Sequence, residues 1–245
     1  MAVTAFQSEV LKRIARSRVD GDVFNSTYEA LERAADHDCE VLKAAGYDIR
    51  VVRRRDYIVE VVASRPDGST ELQWVQDSAY RFFPLVEDEL LGLTLHPFDL
   101  ATNKLLALAG RRVPRDWVDT ITCSEDVQPL GLLAWAANGK DPGLTPNYIL
   151  EMCMRTTYSR PEFEQAIRNA SDYDLGDLSK KWHDMIWRAR ETVKLLPPEE
   201  VGKVVMTREG ELFRGTDDAL KAALAANELV FHEGTIGGAW PMIVG

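Results

Sequence analysis

A change of hydrophobic period in the N-terminal third of the chain limits the fold more than any other feature. Helical spacing gives way to β-rich runs at 47–52, 57–63 and 70–75. The second and third runs flank Pro66–Asp67–Gly68–Ser69, residue types that favour a tight turn between antiparallel strands. A further short strand is expected over Leu91–Leu95. The chain should therefore contain a small sheet that includes a β-hairpin.

Helices are expected on both sides of these strands. Ser26 and Glu29 fit a capping box at the start of a helix that Gly46 would end. Pro97 and Pro114 each open a further helix, because proline suits the first helical turn. The other expected elements are a helix over 6–18, helices through most of 127–200, and a tail containing a hairpin at 209–210, a helix over 216–226 and a strand over 229–231. This order indicates an α+β fold with regions 1–125, 126–200 and 201–245.

The composition is typical of a soluble globular protein. The 245 residues carry 29 Lys and Arg against 39 Asp and Glu, a formal net charge of −10, and 45% are hydrophobic. These values exclude disordered and fibrous classes and argue against a nucleic-acid coat that depends on bulk positive charge. The cysteines Cys39, Cys123 and Cys153 lie far apart, and no apolar run approaches the ~20 residues of a membrane span. We therefore expect a cytoplasmic protein with no membrane segment.

The first candidate for chemistry is the pair Asp20 and Asp22 around Gly21. On extended backbone, carboxylates at positions i and i+2 point to the same face, where they can approach one or two Mg²⁺ ions. The competing interpretation is a polar turn ahead of a helix, because Asp-Gly is a common turn signal.

Lys104 is the second candidate, because it lies in an apolar stripe of the helix expected to begin at Pro97. A lysine in such a stripe either extends its ammonium to water or finds an anionic partner. It could bind phosphate or be a boundary residue with a packed stem. Asp116 and Asp119 share a face of the next helix and form a third candidate, whose alternative is a structural pair between Arg115 and Asp119.

Several common site motifs are absent from the sequence. The four histidines have no H-E-x-x-H spacing, and there is no P-loop and no G-x-G-x-x-G motif. These absences disfavour a zinc protease, a Walker-type ATPase and a Rossmann enzyme. Two basic clusters, Arg53–Arg54–Arg55 and Arg111–Arg112, are interpreted as solvated surface.

Two segments of the chain resemble the AbiE-type toxin family, also called AbiEii-like nucleotidyltransferases, of the polymerase-β-like superfamily. LHPFDLATNKLLALAGRRVPRDWVD, at 95–119, is similar to the family's lysine-bearing helix and the R-D-x-x-D segment that follows it. RSRVDGDVF, at 16–24, is similar to its aspartate metal motif, and the helix over 26–45 and the segment LSKKWHDM also have counterparts in members of the family.

The resemblance implies a nucleotidyltransferase-like small mixed sheet flanked by helices, followed by a mainly helical C-terminal region. It implies transfer of a nucleotide from a nucleoside triphosphate to an acceptor such as RNA, with an antitoxin as a protein partner. Asp20, Asp22 and Lys104 would be catalytic, and Lys104, Asp116 and Asp119 would position the triphosphate. Magnesium would be held by Asp20, Asp22 and Glu71. All these groups are expected to meet in one cleft.

The sequence departs from the family pattern at two places. The family has a glycine turn shortly before its aspartate pair, whereas this chain has no glycine between Met1 and Asp20. The position expected to supply a third carboxylate is Gln73, which is neutral, and Glu71 two residues earlier could replace it. Two alternatives therefore remain beside the enzyme: a non-catalytic relative that acts as a binding or regulatory module, and a helical interaction domain whose acidic surface binds a basic partner.

Overall fold

The computed structural model describes residues 9–10, 28–76, 78–88, 92–167 and 170–241. Asp20, Asp22 and the capping residue Ser26 lie outside this part of the chain. The chain divides into two compact units. One consists of Met1–Ala79 and Leu85–Leu95, and the other of Tyr80–Pro84 and His96–Gly245.

The strands of the described residues are short. They are β1 Asp48–Arg55, β2 Ile58–Arg65, β3 Gly68–Val75, β4 Tyr80–Arg81, β5 Val86–Asp88, β6 Gly92–Thr94, β7 Val204–Thr207, β8 Leu229–His232 and β9 Thr235–Ile236. The helices are α1 Tyr28–Ala44, α2 Pro97–Arg111, α3 Pro114–Asp126, α4 Leu130–Lys140, α5 Pro146–Met154, α6 Arg160–Ala166, α7 Leu175–Leu195 and α8 Asp217–Ala225, with 3₁₀ turns at Ala170–Asp172 and Pro198–Glu200. The expectation of a chain that combines helices with small sheets is confirmed.

The first unit packs helix α1 against the three-stranded sheet β1–β2–β3. Val59 and Val61 of β2 and Trp74 of β3 are buried on this side of the sheet together with Leu31 and Ala35 of the helix. Alternate residues of a strand point to opposite faces, so one face of each strand supplies this core. The indole N–H of Trp74 donates to Asp38 Oδ2 at 2.8 Å, so its polar atom is satisfied although the ring is buried.

The hairpin expected around residues 66–69 is confirmed. Strands β2 and β3 pair antiparallel from Ile58 and Val75 at one end to Arg65 and Gly68 at the other, with Pro66 and Asp67 as the two-residue loop. All strand pairs in the described part of the chain are antiparallel. A mixed sheet needs parallel as well as antiparallel pairs of strands. The expectation of a mixed sheet is therefore wrong for these strands, which pair either in hairpins or as antiparallel segments from distant parts of the chain.

The second unit is mainly helical. Helix α2 contacts α3, α4 and α5, and α4 also contacts α7, so these helices enclose a continuous apolar core. The expectation of helices through most of 127–200 is confirmed, and the longest of them, α7, buries Trp182, Ala189 and Val193 along one apolar stripe. In the tail, β7 and β8 form an antiparallel pair, and helix α8 lies between them in the sequence.

Helix α2 ends two residues later than its sequence indicates. Gly110 is a typical helix-ending residue and predicts an end after Ala109, yet the helix continues to Arg111, and Arg112 takes the left-handed conformation with φ of 48°. The backbone N–H of Arg112 donates to the carbonyl of Leu108 at 3.1 Å and so caps the last turn. A glycine is therefore tolerated inside this last turn.

The two compact units do not follow the three predicted regions. Helices α2 and α3, which belong to the predicted region 1–125, pack with the helices of 126–200 and with the tail in one unit. The predicted regions stay a hypothesis about how the chain is organised in function. No helix within the described ranges is both long and apolar enough to cross a membrane.

Candidate functional site

Lys104 of helix α2 is held by two carboxylates of helix α3. Its Nζ lies 2.7 Å from Asp119 Oδ2 and 3.6 Å from Asp116 Oδ1. The lysine side chain is 35% exposed, whereas those of Asp119 and Asp116 are 26% and 1% exposed. The structure thus brings together the three second-unit residues that the sequence singled out. The ammonium is at the protein surface and its anchoring carboxylate is inside.

Asp116 also binds Arg111, in a geometry that fixes both groups. Arg111 Nε donates to Oδ2 at 2.6 Å and a terminal nitrogen donates to Oδ1 at 3.1 Å, a two-pronged arrangement. The neighbouring carboxylate raises the pKa of the Arg111 guanidinium, with the hydrogen bond as the main cause. The alternative interpretation paired Asp119 with Arg115, whereas the structure pairs Asp119 with Lys104.

The segment that joins α2 to α3 concentrates positive charge. Between 104 and 119 the chain carries Lys104, Arg111, Arg112 and Arg115 against two aspartates, in a protein whose net charge is −10. Arg111, Arg112 and Arg115 are exposed. We refer to Lys104, Arg111, Arg112, Arg115, Asp116 and Asp119 as the basic corner. A local excess of cations in an acidic protein attracts anions to this place.

Glu71 and Gln73 lie on the exposed face of β3, the face opposite to α1. Gln73 Nε2 donates to Glu60 Oε1 at 2.8 Å, and the other oxygen of Glu60 lies 3.0 Å from Arg53 Nε. Gln73 is therefore part of a polar row that crosses β1, β2 and β3. This contact explains a neutral amide here, because its N–H can donate to Glu60 whereas a carboxylate would repel it.

Asp20 and Asp22, the core of the predicted magnesium set, lie outside the described residues. Within the described part, no group of three or more His, Cys, Asp or Glu residues could hold a metal ion, so Glu71 belongs to no such group there. The magnesium hypothesis therefore depends on the aspartate pair and gains no support from Glu71.

Sequence reasoning missed a buried ion pair at the start of helix α2. Lys140 Nζ lies 2.8 Å from Asp99 Oδ1, and both side chains are buried. The Asp99 carboxylate also accepts hydrogen bonds from the backbone N–H groups of Phe82 and Phe83, each at 3.0 Å. An aspartate in the first turn of a helix is common, so the sequence carried no signal of this role.

His96 immediately precedes helix α2 and caps it. Its Nδ1 accepts a hydrogen bond from the backbone N–H of Phe98 at 3.2 Å. The ring is then neutral, with its proton on the other nitrogen. Burial lowers the pKa of His96, and the charge of Asp99 opposes this effect. The sequence carries no signal for this role, because no metal-binding spacing surrounds His96.

Comparison with known proteins adds no relative to this description. No protein-family model, no curated protein and no solved structure matches the chain.

Proposed function

We propose that the protein binds a nucleoside triphosphate at the basic corner and transfers its nucleotide to an acceptor, as the resemblance to AbiE-type nucleotidyltransferases implies. The observation that carries the proposal is the meeting of Lys104 with Asp116 and Asp119 at 3.6 and 2.7 Å in a segment of net positive charge. The three residues to which the family resemblance assigns the positioning of a triphosphate are therefore the same three that lie in contact with one another.

The physical case for a phosphate ligand is that the Lys104 ammonium is both anchored and accessible. Asp116 is buried and held by Arg111, so it keeps the lysine head in place without entering solvent itself. Asp119 is partly exposed and lies closest to the ammonium, so an arriving phosphate competes with it. Preorganised cations favour transfer chemistry because phosphoryl-type transfer depends mainly on positioning and charge stabilisation.

The proposed reaction needs no nucleophile from the protein. An acceptor hydroxyl oxygen bonds to the α-phosphorus, the bond to the bridging oxygen of the β-phosphate breaks, and pyrophosphate leaves while the hydroxyl proton passes to solvent. Lys104 and the arginines of the basic corner would stabilise the negative charge on the phosphates. Magnesium, if held by Asp20 and Asp22, would neutralise further phosphate charge.

A nucleotide-binding module without catalysis is the second candidate, and Gln73 favours it. In the family pattern a carboxylate is expected at this position, whereas Gln73 is neutral and its amide donates to Glu60. This candidate keeps the triphosphate at the basic corner and lacks the transfer step.

Incubation with α-³²P-labelled nucleoside triphosphates, magnesium and an RNA acceptor separates the two candidates. Transfer of label that is lost in Asp22→Ala and Lys104→Gln supports the enzyme. Lys180→Gln is the matched control, because Lys180 is an exposed lysine paired with Asp177 on helix α7. Triphosphate binding without transfer supports the module. If the protein neither binds nor transfers the triphosphate, both candidates are contradicted.

A further inference from the structure

A cavity in the second unit has an aromatic wall. Its volume is about 600 Å³, and its lining includes Phe83, His96 and Trp240 together with Asp126, Glu211 and Arg214. Cavities of roughly 300–1,000 Å³ with apolar walls and a few polar groups are the usual form of small-molecule sites. Lys104 does not line this cavity.

The wall combines aromatic rings packed into the protein with one ring, that of Trp240, that is exposed to solvent. The rings of Phe83 and His96 lie against each other with centroids 4.2 Å apart and their planes tilted by 35°, and Phe83 is buried. The Trp240 ring lies 6.2 Å from each of them, centroid to centroid, yet Trp240 remains 60% exposed. An exposed indole supported by two packed rings offers a flat surface on which another planar ring can stack.

The polar groups of the same wall supply both hydrogen-bond acceptors and donors. Asp126 and Glu211 are exposed carboxylates, which only accept. Arg214 is an exposed guanidinium, which only donates, and one of its nitrogens is bonded to the backbone carbonyl of Glu125. A neutral planar ring that carries an amino group and ring nitrogens or carbonyls can satisfy both kinds of group at once.

Helices α2 and α3 join this cavity to the basic corner. Pro97 of the cavity wall precedes Lys104 by seven residues on α2, and Asp119 precedes Asp126 of the wall by seven residues on α3. Seven residues are nearly two helical turns, so each pair lies on one face of its helix, about 10 Å apart along the axis. The contact of Lys104 with Asp119 shows that these two faces meet.

We propose that the aromatic cavity is the base-binding subsite for an amino-bearing nucleobase. The phosphates of the same nucleotide reach the basic corner along the α2–α3 seam, and this part rests on the proposed function. The base stacks on Trp240, the carboxylates of Asp126 and Glu211 accept hydrogen bonds from its amino group, and Arg214 donates to its acceptor atoms.

Calorimetric titration of the full chain tests the stacking part of the proposal. The ligands are ATP, CTP, UTP and inorganic triphosphate, each with magnesium. Trp240→Leu is expected to weaken ATP and CTP roughly tenfold or more, as loss of one base-stacking contact does, and to leave inorganic triphosphate unchanged. Trp187→Leu is the matched control, because Trp187 is similarly exposed at 66% but lies on helix α7 outside the cavity wall.

The pair CTP and UTP tests the carboxylates, because cytosine carries an amino group where uracil carries a carbonyl. Wild type should bind CTP several-fold more tightly than UTP, and Asp126→Asn combined with Glu211→Gln should abolish this difference. Equal binding of CTP and UTP by wild type, or equal effects of the two tryptophan variants, overturns the proposal. If adenosine binds in a Trp240-dependent way while triphosphate does not bind at all, the base subsite is supported and the proposed function fails.

Discussion

Lys104 Nζ lies 2.7 Å from Asp119 Oδ2 and therefore has a carboxylate partner although it occupies an apolar stripe of helix α2. Asp116 stands behind this pair and is 1% exposed. Burial separates the two aspartates into different roles: Asp116 fixes the cation from inside the protein, and Asp119 meets it at the surface. The two residues should consequently respond differently to substitution.

Asp116→Ala should destabilise the second unit far more than Asp119→Ala. Removal of Asp116 deletes a buried carboxylate and its two-pronged bond with Arg111, and losing such charge-assisted hydrogen bonds costs about 1.5–3 kcal/mol. Asp119 is partly exposed, so its removal should cost at most about 1 kcal/mol. The unfolding free energy from urea denaturation measures both effects. Equal losses for the two variants would show that burial does not separate their roles.

Asp99→Ala should destabilise the protein more than Lys140→Met. The alanine variant leaves the buried Lys140 ammonium without its carboxylate, and it removes the acceptor of two backbone N–H groups. A buried pair broken on one side costs about 3–5 kcal/mol. In Lys140→Met the two backbone hydrogen bonds to Asp99 remain and stabilise its charge. Urea denaturation of the two variants should give this order, and the reverse order would contradict it.

The stability of the protein should fall as the pH falls through the range in which His96 titrates. Burial lowers the pKa of His96 in the folded chain, so the unfolded chain takes up a proton first, near its ordinary pKa of about 6.5. The stabilisation that neutral His96 gives the folded state is therefore complete above that pH. It is lost progressively as the pH falls to the lowered pKa of His96 in the folded state. Protonation of Nδ1 would also end its bond with the N–H of Phe98.

His96→Asn isolates this contribution. Asparagine keeps an acceptor at the helix start but does not titrate. The unfolding free energy of wild type should decline more between about pH 7 and pH 5 than that of the variant. Parallel pH profiles would rule out His96 as a source of the pH dependence.

Gln73→Asp should weaken the β2–β3 hairpin in the absence of metal. The new carboxylate would face Glu60, to which the Gln73 amide now donates at 2.8 Å, and opposed like charges on paired strands cost up to about 1 kcal/mol. If Gln73 stands at the third ligand position of a magnesium site, magnesium should restore the melting temperature of the variant. Restoration by magnesium but not by an equal ionic strength of sodium chloride would support that position, and no difference between the salts would contradict it.

The sequence predicted the elements better than their contacts. Pro97 and Pro114 mark the starts of α2 and α3, and Pro66 and Asp67 form the loop of the β-hairpin, because these positions depend on local backbone chemistry. The pair of Asp99 and Lys140 joins residues on different helices, and no local pattern distinguishes it from surface charges. Long-range pairing of charges is decided by packing, which a single sequence does not display.

For the candidate site, too, local features could be predicted from the sequence whereas packing could not. The apolar neighbours of Lys104 in sequence correctly suggested an anionic partner as one possibility, and the spacing of Asp116 and Asp119 placed both on one helix face. Their different burial could not be predicted, because it depends on how α3 packs against α2. The aromatic cavity was also missed, because Trp240 is far in the chain from Phe83 and His96.

Isothermal titration of the full chain with inorganic triphosphate in the presence of magnesium tests the role of the basic corner most directly. Wild type should bind, Lys104→Gln should bind at least tenfold more weakly, and the surface variant Lys180→Gln should bind as wild type does. Arg111→Gln should also weaken binding, because it removes both a cation and the clamp on Asp116. Binding that is equal in wild type and Lys104→Gln, or absent from wild type, would contradict the assignment of Lys104 to a polyphosphate.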